Sequence, residues 1–81
     1  MARMKKPFPA AADFGKRVRK VREGLGWSQE NLAEASGLHW TYVSSVERGE
    51  RNISLLNILK LAHALETDPA ELVGKLLPPR A

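Results

Sequence analysis

What most constrains this chain is the way its helical spacing is repeatedly cut short. Apolar residues recur at intervals of three and four and never alternate. Phe14, Val18, Val21 and Leu25, for example, form a single stripe along one helix face. Each such run ends within a few turns at a glycine, a proline or a small hydroxyl residue. A chain patterned this way has no half-buried strands to offer, and none of its helices is long enough to stand alone. It must fold as several short helices packed on one another, an all-α architecture.

The punctuation predicts five helices. Residues 1–12 read as a flexible basic arm, with Pro7 and Pro9 blocking regular structure. Asp13 is placed to cap the first helix, which Gly24 and Gly26 end. Ser28 caps the second, Gln29 to Ala35, with Trp27 and Leu32 spaced as a hydrophobic staple. Gly37 breaks it. The third runs from Trp40 to Arg48, with Leu38 and Val43 as a second staple around His39, and Gly49 terminates it. Ser54 caps a fourth, Leu55 to Glu66, on which Leu55, Ile58, Leu59, Ala62 and Leu65 share a face. Asp68 and Glu71 have capping-box spacing around Pro69, and the fifth helix should reach about Leu77 before Pro78 and Pro79. The expected domain is a compact five-helix unit over 13–77, with 78–81 as a tail.

With 81 residues and no cysteine, the core is small and has neither a disulfide nor a thiolate metal site to support it. The first twelve residues lack the apolar run of a signal peptide. No stretch approaches the ~18 apolar residues of a membrane span, so the expected location is the cytoplasm. Of the thirteen basic residues, eight lie in the first 22 positions: Arg3, Lys5, Lys6, Lys16, Arg17, Arg19, Lys20 and Arg22, opposed there only by Asp13. Such a cluster suits a polyphosphate partner, and it equally suits a solvated helix face.

The second and third helices narrow the choice. In "SQENLAEASGLHWTYVSSVERGE", two short helices meet at a glycine-containing turn, the helix-turn-helix plan. Ala33 is small enough to let the third helix cross the second closely. Gly37 supplies the positive φ of the turn, and Leu32, Val43 and Val46 point into the angle between the two. Trp40, Thr41, Ser44, Ser45 and Arg48 then fall on the outward face, within about 140° at 100° per residue. An aromatic, three hydroxyls and a cation suit the base edges, thymine methyls and phosphates of a major groove.

These segments, with "ISLLNILKLAHALETDPAEL", resemble the lambda-repressor and Cro-like (XRE-type) helix-turn-helix family in order and spacing, from about Phe14 to Val73. "TYVSSVERGERNIS" also resembles the small controller proteins of restriction–modification systems. The resemblance implies that Gln29 contacts the sugar–phosphate backbone and that Trp40, Thr41 and Ser45 read bases, with Ser44 nearby. Tyr42, Arg48, Arg51 and Asn52 would touch the backbone or a neighbouring groove. Trp40 departs from the polar or basic residue usual there, and an indole cannot make arginine's bidentate contact with guanine. The family also implies an ion pair between Arg22 and Glu47.

Other chemistries find little footing. His39 suits a helix start or a phosphate contact, and His63 lies at the edge of helix four, neither with a plausible metal partner. Ser28, Ser44 and Ser45 have no His–carboxylate pair placed to activate them, so no enzyme, metal or cofactor is expected. Leu56 and Leu59 beside His63, and Leu72, Val73, Leu76 and Leu77, exceed what short helices bury alone, which predicts a homodimer interface. The leading expectation is a dimeric transcription regulator of double-stranded DNA with a palindromic operator, without a membrane or small-molecule partner. The alternative is an antitoxin that binds a toxin and represses its own operon.

Overall fold

The computed structural model describes residues 8–79. They form five α-helices: α1 (Pro9–Gly24), α2 (Gln29–Ser36), α3 (Trp40–Glu47), α4 (Leu55–Ala64) and α5 (Pro69–Val73), with no strand among them. Among the described residues, no helix is long and apolar enough to cross a membrane.

The first helix starts earlier than its sequence signals suggest. Phe8 is the extended N-cap (φ −177°, ψ 160°) and Pro9 takes the first helical position, without any side-chain cap. A proline there gives up an N–H that would have no partner anyway, so Pro9 begins the helix rather than blocking it. Asp13 is an exposed residue within α1 and not its cap. The part of the proposed arm in residues 1–7 lies outside the described residues.

Phe14 and Val18 of α1, Leu32 and Ala33 of α2, Val43 and Val46 of α3, Leu61, Ala62, Ala64 and Leu65 of the α4 segment, and Leu72 of α5 form one buried cluster. Val21, Trp27, Leu38, Tyr42, Ile53, Ile58 and Leu76 pack around it. The backbones of α1 and α3 come close together. A Cβ at Gly15 would lie 2.3 Å from the carbonyl oxygen of Val46 and 2.7 Å from that of Glu47. Gly49, just after α3, has φ +78°, and a Cβ there would lie 2.7 Å from the Cα of Ala12. Two glycines therefore let α1 back directly onto the end of α3.

The fourth helix departs from expectation in which face it buries. It ends at Ala64, and Leu61, Ala62, Ala64 and the C-cap Leu65 are buried. Leu55 is 70% exposed and Leu59 44%. The helix is apolar nearly all round, so helical spacing admits two stripes and cannot choose between them. Packing selects Ile58, Leu61, Ala62 and Leu65. Leu55, Leu56, Leu59 and His63 are left on an outward arc of about 100°.

The fifth helix is shorter than expected. Asp68 Oδ1 accepts from the amide of Ala70 at 2.9 Å, and the Glu71 amide bonds to the Asp68 carbonyl instead of completing a side-chain capping box. The helix stops at Val73, with Gly74 extended (φ −58°, ψ 131°) and Lys75 left-handed (φ 63°). The Arg17 guanidinium reaches across to this end and donates to the carbonyls of Leu72 (3.3 Å) and Gly74 (2.8 Å). It thereby satisfies two oxygens that the truncated helix leaves open. Leu72 is fully buried in this chain's own core, so it is not part of any subunit surface, which corrects its place among the interface residues.

Candidate nucleic-acid interface

The helix-turn-helix unit is fixed at both of its turns. Ser28 Oγ accepts from the Asn31 amide (3.0 Å) and Asn31 Oδ1 accepts from the Ser28 amide (2.9 Å), a reciprocal capping box that starts α2. Trp27 packs against the core that holds Leu32, as the staple requires. At the other end Gly37 is left-handed (φ 74°), and its amide bonds to the Ala33 carbonyl. The chain then turns through Leu38 into α3, whose N-cap is His39.

An ion pair locks α3 to the rest. Arg22 Nε donates to Glu47 Oε2 at 2.6 Å and Nη2 to Glu47 Oε1 at 2.9 Å, while Nη1 donates to the Trp27 carbonyl at 2.7 Å. The two side chains are 9% and 3% exposed. The hydrogen bond to Glu47 outweighs the loss of water and raises the Arg22 pKa, so the guanidinium stays charged. Gln29 Nε2 adds a bond to Glu47 Oε1 at 3.0 Å. The expected pair is thus present and buried, and it ties the end of α1, the start of α2 and the end of α3 to one carboxylate. Gln29 keeps one of its two amide hydrogens uncommitted for a further partner.

On the outward side of α3, Trp40 is 45% exposed, Thr41 and Arg48 are exposed and Ser44 is half-buried. Ser45 is not on this face. It is 5% exposed, donates to the Tyr42 carbonyl (2.7 Å) and accepts from Arg51 Nε (2.8 Å). The correction has a geometric reason: Ser45 lies at the rim of the proposed arc, and without it the arc narrows to about 100°. Arg48 Nη1 donates to Ser44 Oγ, and its Nε and Nη2 donate to the Glu50 carboxylate at 3.0 and 3.1 Å. That contact raises the Arg48 pKa.

Arg51 and Tyr42 form a second, linked group. The Arg51 guanidinium lies 5.2 Å from the Tyr42 ring centroid, a cation–π contact. Tyr42 Oη accepts from Asn57 Nδ2 at 3.2 Å. Asn52 is exposed. Asn57 carried no sequence signal, because nothing in its spacing tells that it reaches back from α4 to α3. Arg17 and Arg22 likewise leave the cationic cluster of α1, since both are spent on structure. Arg19 pairs with Glu23 at 3.0 Å in the open, and Lys16 and Lys20 are exposed.

Short capped helices crossing at a glycine turn, with a polar and aromatic face held outward by a buried ion pair, define a helix-turn-helix module. A helix-turn-helix family model matches residues 18–72, and the chain belongs to that family of DNA-binding transcription regulators. Its relatives are more particular. The chain is 48% identical over 61 residues to the control protein C.BamHI of Bacillus amyloliquefaciens, covering 74% of this chain and 75% of that one. The crystal structure of the restriction–modification controller protein C.AhdI from Aeromonas hydrophila superposes with a TM-score of 0.75 at 56% identity, covering 76% of this chain and 94% of C.AhdI. The controller C.Esp1396I, solved as a tetramer in complex with its natural 35 base-pair operator, superposes with a TM-score of 0.70 at 30% identity, covering 73% and 78%.

Proposed function

We propose that this chain is the controller of a restriction–modification system, acting as a homodimer on a roughly palindromic operator near its own promoter. The observation that carries the reading is the outward arc of α3, Trp40, Thr41, Ser44 and Arg48, held rigidly by the buried Arg22–Glu47 pair. In this reading Trp40, Thr41 and Ser44 meet base edges in the major groove. Gln29, Tyr42, Arg48, Arg51 and Asn52 contact the backbone or an adjacent groove. The likeness to C.BamHI and C.AhdI supports the controller role. The operator complex of C.Esp1396I supports the DNA partner and an oligomeric bound form.

Dimerisation is supported by the exposed arc of Leu55, Leu56 and Leu59, with Val73 and Leu77 also exposed. Five large apolar side chains in water call for a partner surface. Two-fold packing of that arc would set two copies of α3 about one DNA turn, ~34 Å, apart. Occupancy would then rise with protein concentration, which suits autoregulation. The relatives lend no support to the antitoxin alternative.

Footprinting of the purified protein on the DNA upstream of its own gene tests the proposal. Protection of an inverted repeat supports it. Protection of a single unrepeated block, or none in that region, refutes it.

A further inference from the structure

The N-cap of α3 is a histidine, and its ring does more than close a helix. His39 Nδ1 accepts the Thr41 amide at 3.1 Å. The hydroxyl of the same threonine lies 2.8 Å from that nitrogen. A backbone amide can only donate, so Nδ1 must carry its lone pair and the ring proton must sit on Nε2. The hydroxyl shares that lone pair, and it can do so only by donating its single hydrogen. Thr41 therefore turns two lone pairs and a methyl group outward, and no donor.

We infer that His39 is a positioning residue for sequence recognition, fixing Thr41 as a hydrogen-bond acceptor in the groove. The inference rests on the proposed insertion of α3 into DNA. In the major groove the exocyclic amino groups, adenine N6 and cytosine N4, are the donors, whereas guanine N7 and O6, adenine N7 and thymine O4 are acceptors. An acceptor-only threonine selects a base that presents an amino group and rejects guanine and thymine at the same place. When the base is adenine, the Thr41 methyl group can also meet the thymine methyl of the same pair. A threonine without this neighbour could donate or accept and would discriminate less.

Selection of bound sites from a random duplex pool tests the idea, using the native chain, His39→Gly, His39→Asn and Thr41→Val. Glycine is well tolerated at an N-cap but has no acceptor, whereas the asparagine Oδ1 replaces the imidazole lone pair. The native protein should favour adenine or cytosine at one position of each half-site. His39→Gly should admit guanine and thymine there several-fold more often, His39→Asn should restore the preference, and Thr41→Val should flatten it. An unchanged profile for a folded His39→Gly, or one for His39→Asn matching that of the glycine variant, overturns the inference and leaves DNA reading intact. A native protein that selects no sequence overturns the DNA reading, and this inference with it. Nitrogen-15 NMR of the His39 ring in the unmutated protein is an independent check. An Nε2-protonated tautomer supports the assignment, and an Nδ1-protonated one contradicts it.

Discussion

The two halves of this small molecule use their apolar residues in opposite ways. In α2 and α3, most of the positions that packing does not need are polar, Ala35 and Trp40 excepted. Leu32, Val43 and Val46 are buried to 2% exposure or less, and among their large apolar residues only Trp40 stands substantially in solvent. In α4 apolar residues occupy both faces, and Leu55, Leu56 and Leu59 remain outside. The front half is finished within one chain, whereas the back half presents a surface that one chain does not cover. The difference suggests a division of labour: a rigid reading unit on one side and a pairing surface on the other. Single substitutions should therefore cost stability at the front and association at the back.

The largest effect should come from Arg22→Ala. It leaves Glu47, whose side chain is 3% exposed, with its buried charge facing only Gln29. Breaking a buried pair from one side costs about 3–5 kcal/mol, much of the stability that a domain this small has. Circular dichroism should show a melting point lowered by well over ~10 °C or loss of the folded state, at about 4–8 °C per kcal/mol. A shift of only a degree or two would mean that the pair contributes no more than an exposed one.

Gly15→Ala should follow. The added methyl group would meet the backbone oxygens of Val46 and Glu47, not a side chain that can swing away, so α1 must separate from α3. A loss of about 1–3 kcal/mol in urea unfolding is expected from such overpacking. Unchanged stability would show that the two helices slide apart freely.

These two cases also show what was readable from the sequence. The helix-turn-helix unit was legible because its signals are local: Ser28 and Gly37 sit at the ends of the helix they delimit, and Trp27 and Leu32 are one staple apart. The Arg22–Glu47 pair joins residues far apart in the chain, and family resemblance, not spacing, pointed to it. Gly15 gave no signal, since a glycine inside a helix looks the same whether or not another backbone presses on it. Ser45 stands at the edge of an arc, where one packing contact decides between inside and outside, and spacing alone puts it on the wrong side. In α4 the spacing fits two stripes equally well. In α5 the end is set by Gly74 leaving helical geometry and by Arg17 arriving from α1, a tertiary contact no local pattern records.

Arg17→Met should loosen this end without unfolding the domain. It removes two bonds from a charged donor at a partly exposed site, worth about 1 kcal/mol after solvent screening. Hydrogen exchange should accelerate in 69–76 and stay unchanged in α2 and α3. Acceleration throughout would mean that the two halves do not behave separately.

The smallest effect on folding belongs to the back. Leu56→Glu with Leu59→Glu should change monomer stability by only about 1 kcal/mol, because Leu56 is 61% exposed and Leu59 is about half-buried. Under the proposed pairing, sedimentation should nonetheless show this variant as a monomer and the native chain as a dimer, with the variant's operator affinity reduced. If the double variant stays dimeric, another surface forms the interface.

The most direct test of the front half as the reading unit is equilibrium binding of the native chain and Trp40→Ala to two duplexes, the selected operator and a scrambled control, at fixed salt. A lost base contact costs about 1–3 kcal/mol on the specific site alone, roughly a 5- to 150-fold weakening. Such a loss on the operator, with control affinity unchanged, is the predicted result. Equal weakening on both duplexes, or none on either, would contradict the assignment of α3's outward face to base recognition.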